Sequence, residues 1–281
     1  MPTWGEARTA ATARLRSASD PNTAMLDADV LLAHVLGVAK EALFAHPERR
    51  LRAAEDERFR ELVERRARGE PVAYLRGFKE FYGLRFRVDP RVLIPRPETE
   101  VLVDAARELI AGRSLTVVDV GTGSGAIAVA IAAHEHRVRV IATDSARDAL
   151  VVAAGNALAN GVADRVEFRH GDLLAPVTER VAVVCANLPY LRDDAVTQWV
   201  GERTSLAFEP RDAVVAGADG LGVIRRCIAD LRRVLAPGGF ALFECDPPQA
   251  SIVAMLLERV ELRAAVVRDL AGSERLATGR L

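Results

Sequence analysis

Between Thr116 and Ile127 the chain reads Thr-Val-Val-Asp-Val-Gly-Thr-Gly-Ser-Gly-Ala-Ile, and no other stretch constrains its fold as tightly. β-Branched residues ending at Asp119 read as a buried strand. Gly121, Thr122, Gly123, Ser124 and Gly125 read as a tight turn, and the apolar run from Ala126 to Ala133 as the helix that leaves it. Glycine there lets the backbone pass close beneath a ligand and adopt dihedrals that a Cβ forbids. A strand–turn–helix junction with nothing bound has the same pattern, so the stretch alone leaves ligand binding open.

From Val101 onward strands and helices alternate, which implies an α/β fold with a mostly parallel sheet covered on both faces. Strands are expected near 115–120, 138–143, 166–170, 181–186 and 239–245, and helices near 98–111, 125–134, 146–160 and 219–235. The tail differs: 262–269 and 275–279 read as two strands joined by a turn at Ala271-Gly272-Ser273, an antiparallel hairpin at one sheet edge. From Thr3 to about Arg68 the pattern is helical throughout. Leu26, Val30, Leu31, Val35 and Leu36 recur at helical spacing, and Gly37 marks a stop. The charge-rich stretch from Ala53 to Arg68 reads as a largely solvated helix. Tyr74, Phe78, Phe81, Tyr82 and Phe86, with Gly77 and Gly83, mark a hairpin connector between the two regions.

Composition narrows the function classes. A formal net charge of −1 and 50% apolar residues describe a soluble globular chain rather than one that lives on a polyphosphate surface. No apolar run approaches membrane-spanning length, and Met1–Glu6 lacks a signal-peptide core, so a cytoplasmic protein is expected. Cys185, Cys227 and Cys245 form no Cys-x-x-Cys pair; buried structural thiols are expected, with no metal site.

The chemistry gathers at strand ends. Asp144 ends the second expected strand, about 20 residues past the glycines, where nucleotide-binding sheets hold a ribose diol. It also fits as the N-cap of a helix beginning at Ser145. Asp172, after the third strand, is placed to accept from an adenine amino group with Leu173 against the ring; a plain turn aspartate has the same signature. The Gly-x-Gly-x-Gly spacing differs from the Gly-x-Gly-x-x-Gly that seats a pyrophosphate, and this favours S-adenosylmethionine over NAD.

More telling is Asn187-Leu188-Pro189-Tyr190, directly after the fourth strand. The lone pair of a carboxamide or exocyclic amino nitrogen is delocalised, so both N–H groups must be held by acceptors for it to point at a methyl donor. The Asn187 side-chain oxygen and the Leu188 carbonyl are the expected acceptors, with Tyr190 on the flat face of the acceptor group. No general base is required; positioning and exclusion of water carry most of the rate. Asn187 thus borders both cofactor and acceptor.

Asn187–Tyr190 resembles the tetrad of amino-methyltransferases generally. Gly69–Gly77, Glu80–Leu84, Leu93-Ile94-Pro95-Arg96-Pro97-Glu98-Thr99-Glu100, Glu209-Pro210-Arg211, Asp219-Gly220-Leu221 and Asp269-Leu270-Ala271-Gly272 resemble the HemK/PrmC family, so the likeness covers nearly the whole chain. The resemblance implies a class I S-adenosylmethionine-dependent methyltransferase with a Rossmann-like seven-stranded sheet. It also implies transfer of a methyl group to the N5 amide nitrogen of the glutamine in the Gly-Gly-Gln loop of class-1 peptide chain release factors. On that reading residues 1–72 are a helical substrate-recognition domain, 73–93 a hairpin linker and 94–281 the methyltransferase domain. Arg96 and Glu98 are expected to line the site of a monomer that needs no nucleic acid.

Two places depart from the family. Leu188 stands where Asn-Pro-Pro-Tyr has its first proline, as it does in RNA adenine dimethyltransferases, and Glu244-Cys245-Asp246-Pro247-Pro248-Gln249 replaces a usual glycine after the fifth strand. An adenine-N6 methyltransferase acting on RNA or DNA and a non-catalytic paralogue are the alternatives these changes leave standing.

Overall fold

The computed structural model describes residues 1–17, 22–194, 205–269 and 272–281. It forms two compact units, one built on Met1–Phe78 and the other on Lys79–Thr197 with Glu209–Leu281. Each has its own core.

The first unit holds helices α1 (Trp4–Arg16), α2 (Ala24–Leu36), α3 (Lys40–Ala45), α4 (Ala53–Ala67) and α5 (Val72–Arg76). Its core joins Trp4, Leu15, Leu31, Leu32, Leu43, Phe59 and Leu62. Two expectations change here. Leu26 is exposed, and α2 turns Ala24, Ala28, Leu31 and Leu32 inward instead. The charged helix α4 is not simply solvated: Phe59, Leu62, Val63 and Ala67 share one buried face at helical spacing. Asp27 and Asp29 are buried and paired across helices, with Arg66 and Arg8 respectively.

A two-stranded hairpin, β1 (Phe78–Phe81) and β2 (Leu84–Arg87), lies in the second unit from Lys79 on, and its Phe81 and Phe86 enter that unit's core. Helix α6 (Glu100–Ile110) follows a single turn at Pro97–Thr99. Next come β3 (Thr116–Val120), α7 (Ala126–His134), β4 (Arg139–Asp144), α8 (Arg147–Ala159), β5 (Val166–His170) and β6 (Val181–Ala186). The chain ends with α9 (Gly222–Val234), β7 (Leu235–Glu244), α10 (Ala250–Arg259), β8 (Arg263–Arg268) and β9 (Glu274–Arg280).

The seven strands order as β5-β4-β3-β6-β7-β9-β8. β3 to β7 pair in parallel, while β9 runs antiparallel to both β7 and β8. The tail hairpin thus stands at a sheet edge as its sequence implies, though Leu270 and Ala271 of its turn lie outside the described residues. Side-chain alternation along buried strands builds two cores. Val117 and Val183 pack with Leu102, Ile110 and Ile131 on one face. Val118 and Val184 pack with Ile224, Leu231 and Val253 on the other.

Three boundaries differ from the sequence reading. β7 begins at Leu235, ahead of Pro237-Gly238-Gly239, with a register shift against β6. α9 begins only at Gly222, because Gly220 takes a positive φ of 72°. α10 is absent from the expected helices; Pro247 and Pro248 start its leading turn, with Asp246 and Gln249 closing a reciprocal cap. No helix among the described residues is long and apolar enough to cross a membrane.

Candidate active site

Strand register places the site. Thr143, Val120, Ala186 and Phe243 lie side by side across β4, β3, β6 and β7. The residues that follow them are Asp144, Gly121, Asn187 and Glu244. The strand order reverses between β3 and β6, and in open parallel sheets the crevice beyond such a reversal is where ligands bind.

The glycine loop is anchored from below by Asp119. Its Oδ2 accepts from Thr122 Oγ1 at 2.6 Å and from the Ala128 backbone N at 3.1 Å, joining the strand, the loop and the first turn of α7. Burial pushes the Asp119 carboxyl up to about 6 against those two bonds, and its Oδ1 has no partner. Ser124 is buried and its carbonyl accepts from Asn156 Nδ2 at 2.8 Å; the same amide holds the backbone of Arg87. Asp144 reaches over the loop: Oδ2 accepts from the Gly123 N at 2.9 Å and Oδ1 from the Ala146 N at 2.8 Å. Helix α8 starts at Arg147, so Asp144 is not its N-cap. Each of its oxygens keeps a lone pair for a further donor.

Gly121 has φ +69°, and a Cβ there would stand 2.9 Å from Leu188 Cδ2. Leu188 itself is buried in the core with Val118 and Val120. Its hydrocarbon packs the loop against that core, and a leucine leaves the backbone carbonyl in place. Asn187 Nδ2 donates to Thr99 Oγ1 at 3.0 Å, which turns the amide oxygen to the opposite side. Tyr190 is half-buried, and burial holds its phenol above the usual range. The Tyr190 carbonyl accepts from Gln249 Nε2 at 2.9 Å, while Gln249 Oε1 accepts from the Asp246 N at 3.2 Å. A Cβ on Gly220 would collide with that same carbonyl oxygen, which is why Asp219-Gly220-Leu221 has its glycine. Pro189 is half-buried between these fixed neighbours.

The Leu93–Glu100 and Glu209–Arg211 segments meet through Glu209. Its Oε2 accepts from the Ile94 N at 3.0 Å and its Oε1 pairs with Arg96. Arg96 therefore braces the segment before α6, and Glu98 is exposed beside Thr99. Asp172 is exposed and paired with Arg226 of α9. Leu173 sits at φ +48° with its carbonyl accepting from Thr143 Oγ1 at 2.9 Å, its side chain against the Val118–Val120 core. The structure thus gathers Gly121–Gly125, Asp144 and Asn187–Tyr190 at the strand ends, with Asp172 on the ridge toward α9.

Sequence reasoning gave no role to Thr99, Asn156, Glu244 or Gln249. Three of these four lie within or beside quoted motifs, which is the only local signal they carry. The cysteines are all buried, and burial pushes the Cys245 thiol up to about 12. Among the described residues no cluster of His, Cys, Asp or Glu is arranged for a metal ion.

These residues fit S-adenosylmethionine. A Cβ on Gly123 would meet nothing within 4 Å, so the loop's upper side is open, and Asp144 offers carboxylate lone pairs beside it. When bound, the cofactor supplies a methyl group on a positively charged sulfur. Gly121–Gly125 and Asp144 would hold it, and Asn187 and Leu188 would offer two oxygen acceptors at the neighbouring strand end.

The family model described as "PrmC N-terminal domain" matches residues 6–77, and that described as "Methyltransferase small domain" matches residues 97–205. The chain is 41% identical over 269 residues to a release factor glutamine methyltransferase of Xylella fastidiosa, covering 95% of this chain and 96% of that one. It is 40% identical to that of Bordetella pertussis, covering 94% and 97%. The Cereibacter sphaeroides protein of the same name is 39% identical over 98% of each chain. Among solved structures it is similar to the hMettl16 catalytic domain, with TM-score 0.56, 15% identity, and 81% and 82% of the two chains covered. It is also similar to the Thermus thermophilus 16S rRNA methyltransferase RsmC in complex with AdoMet, with TM-score 0.53, 15% identity, and 72% and 49% covered. At such identity these two neighbours speak for the fold alone, that of a class I S-adenosylmethionine-dependent methyltransferase. The full-length identity to curated relatives speaks for more, and the chain belongs to the release factor glutamine methyltransferase family.

Proposed function

We propose that this protein transfers a methyl group from S-adenosylmethionine to the side-chain amide nitrogen, N5, of the glutamine in the Gly-Gly-Gln loop of a class-1 peptide chain release factor. The observation that carries the reading is the Asn187 amide, whose Nδ2 is committed to Thr99 so that Oδ1 is free to accept. Asn187 Oδ1 and the Leu188 carbonyl hold the two N–H groups of the acceptor amide. That turns the nitrogen lone pair out of conjugation and toward the methyl group. Tyr190 covers the flat face of the amide, and Pro189 stiffens the loop between them. Gly121–Gly125, Asp144 and Leu173 seat the cofactor, and Asp172 joins them if Arg226 yields it. Arg96 and Glu98 shape the rim.

Residues 1–72 dock the release factor, 73–93 link the two parts, and 94–281 carry the transfer. The enzyme works in the cytoplasm as a monomer and needs no direct contact with nucleic acid. Purified protein incubated with labelled S-adenosylmethionine and a release factor tests this, with the modified peptide mapped by mass spectrometry. Label on the loop glutamine supports the reading. Label on RNA or DNA adenine, or on nothing, overturns it.

A further inference from the structure

We propose that Glu244 is a positioning residue for methyl transfer, acting through Thr99 to set which end of the Asn187 amide faces the acceptor. The inference rests on Asn187 accepting from the substrate amide, as proposed above. Glu244 is the last residue of β7, and Asn187 directly follows the neighbouring strand β6, whose Ala186 pairs with Phe243. Its side chain is buried, and Oε2 has no hydrogen-bond partner. A buried, unpartnered carboxyl oxygen is costly, and structures retain few of them. The Thr99 hydroxyl and the Asn187 amide are the hydrogen-bonding groups beside it that favour its ionised form. Thr99 is also buried and accepts from Asn187 Nδ2 at 3.0 Å.

The polarity of the relay follows from proton inventory. An ionised carboxylate only accepts, and a threonine hydroxyl has one proton to give. With Glu244 ionised, Thr99 gives its proton toward Glu244 and therefore accepts from Asn187, whose NH₂ end also faces the carboxylate. The amide's NH₂ end then lies inward and Oδ1 outward, as the acceptor nitrogen requires. With Glu244 protonated, the relay reverses: the carboxyl donates to Thr99, Thr99 donates to Asn187 Oδ1, and the NH₂ end swings toward the acceptor. Two NH₂ groups then face each other and transfer stops.

Burial pushes Glu244 up to about 7, with Thr99, Arg275 and Asn187 opposing and Glu98 adding to the rise. The groups facing it are Arg275 on β9, Glu98 on the 97–99 turn, the Tyr190 hydroxyl and the Cys245 thiol. Burial holds Tyr190 and Cys245 far above neutral pH, so neither titrates near 7. The single-turnover rate should rise with pH through about 7.

The test is single-turnover methylation of a release factor at saturating S-adenosylmethionine from pH 5.5 to 9, with cofactor affinity and Tm measured alongside. Glu244→Gln should lose the step near pH 7 and fall up to about 100-fold at pH 8, as misplaced groups do, with cofactor affinity and Tm held. Thr99→Val should show the same loss and Thr99→Ser should restore most of the rate; these leave the buried carboxyl untouched. A Glu244→Gln enzyme with the wild-type rate and pH step, or Thr99→Val equal to Thr99→Ser, overturns the proposal. Failure of the wild-type enzyme to methylate the release factor overturns the proposed function instead, so the two failures are distinct.

Discussion

Gly121 and Leu188 touch: a single Cβ on the first would stand 2.9 Å from Cδ2 of the second. The loop that would hold the cofactor and the loop that would present the acceptor therefore fix each other's position. Gly121→Ala must adopt φ +69° and push back the Cδ2 methyl of Leu188. Destabilisation of about 1–3 kcal/mol is expected, from strain and overpacking together. Weaker cofactor binding should accompany it. Urea denaturation and calorimetry measure both, and a neutral substitution would mean the loops are independent.

Asp144 is expected to hold the cofactor while it also orders Gly123 through the 2.9 Å bond. Asp144→Ala removes a carboxylate that accepts from both. A loss of about 2 kcal/mol, roughly thirtyfold in Kd, is expected from charge-assisted hydrogen bonds of this kind. Calorimetric titration with S-adenosylmethionine reads it directly. Asp172→Ala should cost much less, because that carboxylate is exposed and already paired with Arg226.

Glu209 is the joint between the Arg96-Pro97-Glu98-Thr99 segment and the chain ahead of α9. Glu209→Ala leaves the Ile94 N–H and the Arg96 guanidinium without their partner. Breaking a buried pair from one side costs about 3 kcal/mol, and thermal unfolding should show it. Because Thr99 follows two residues after Pro97, the rate of transfer should fall as well. An unchanged Tm would show that the pairing contributes nothing.

Asp119 makes stability depend on pH in a stated direction. Its folded-state value is raised to about 6, so between about pH 4 and 6 the folded protein holds a proton that the unfolded chain has lost. Its contribution is therefore fully present below about 4 and is lost as pH rises through 6. Asp119→Asn removes that dependence. Chemical denaturation across this range should show wild-type stability declining relative to the variant as pH rises; parallel curves would contradict the assignment.

Much of the fold was legible because it is written locally. β-Branched runs, strand-end glycines and helical spacing mark β3 to β6 and α7 to α9 without reference to anything distant. What escaped is written non-locally. Thr99 finds Asn187 across 88 residues, and Gln249 finds Tyr190 across 59. Neither partner is visible from spacing. The pairing of Asp172 with Arg226, 54 residues on, is likewise invisible from spacing. Helix α10 had no range in the sequence reading; Pro247 and Pro248 form the single turn that leads into it. The charges of α4 likewise hid the face that Phe59 and Leu62 bury.

Asn187→Ala tests the central claim most directly. Methylation of a release factor is followed at saturating S-adenosylmethionine, together with cofactor affinity by calorimetry. Removing one of the two oxygens proposed to hold the acceptor amide should lower the rate by about 100-fold or more, with cofactor affinity within about twofold. Turnover near the wild-type rate would contradict the account.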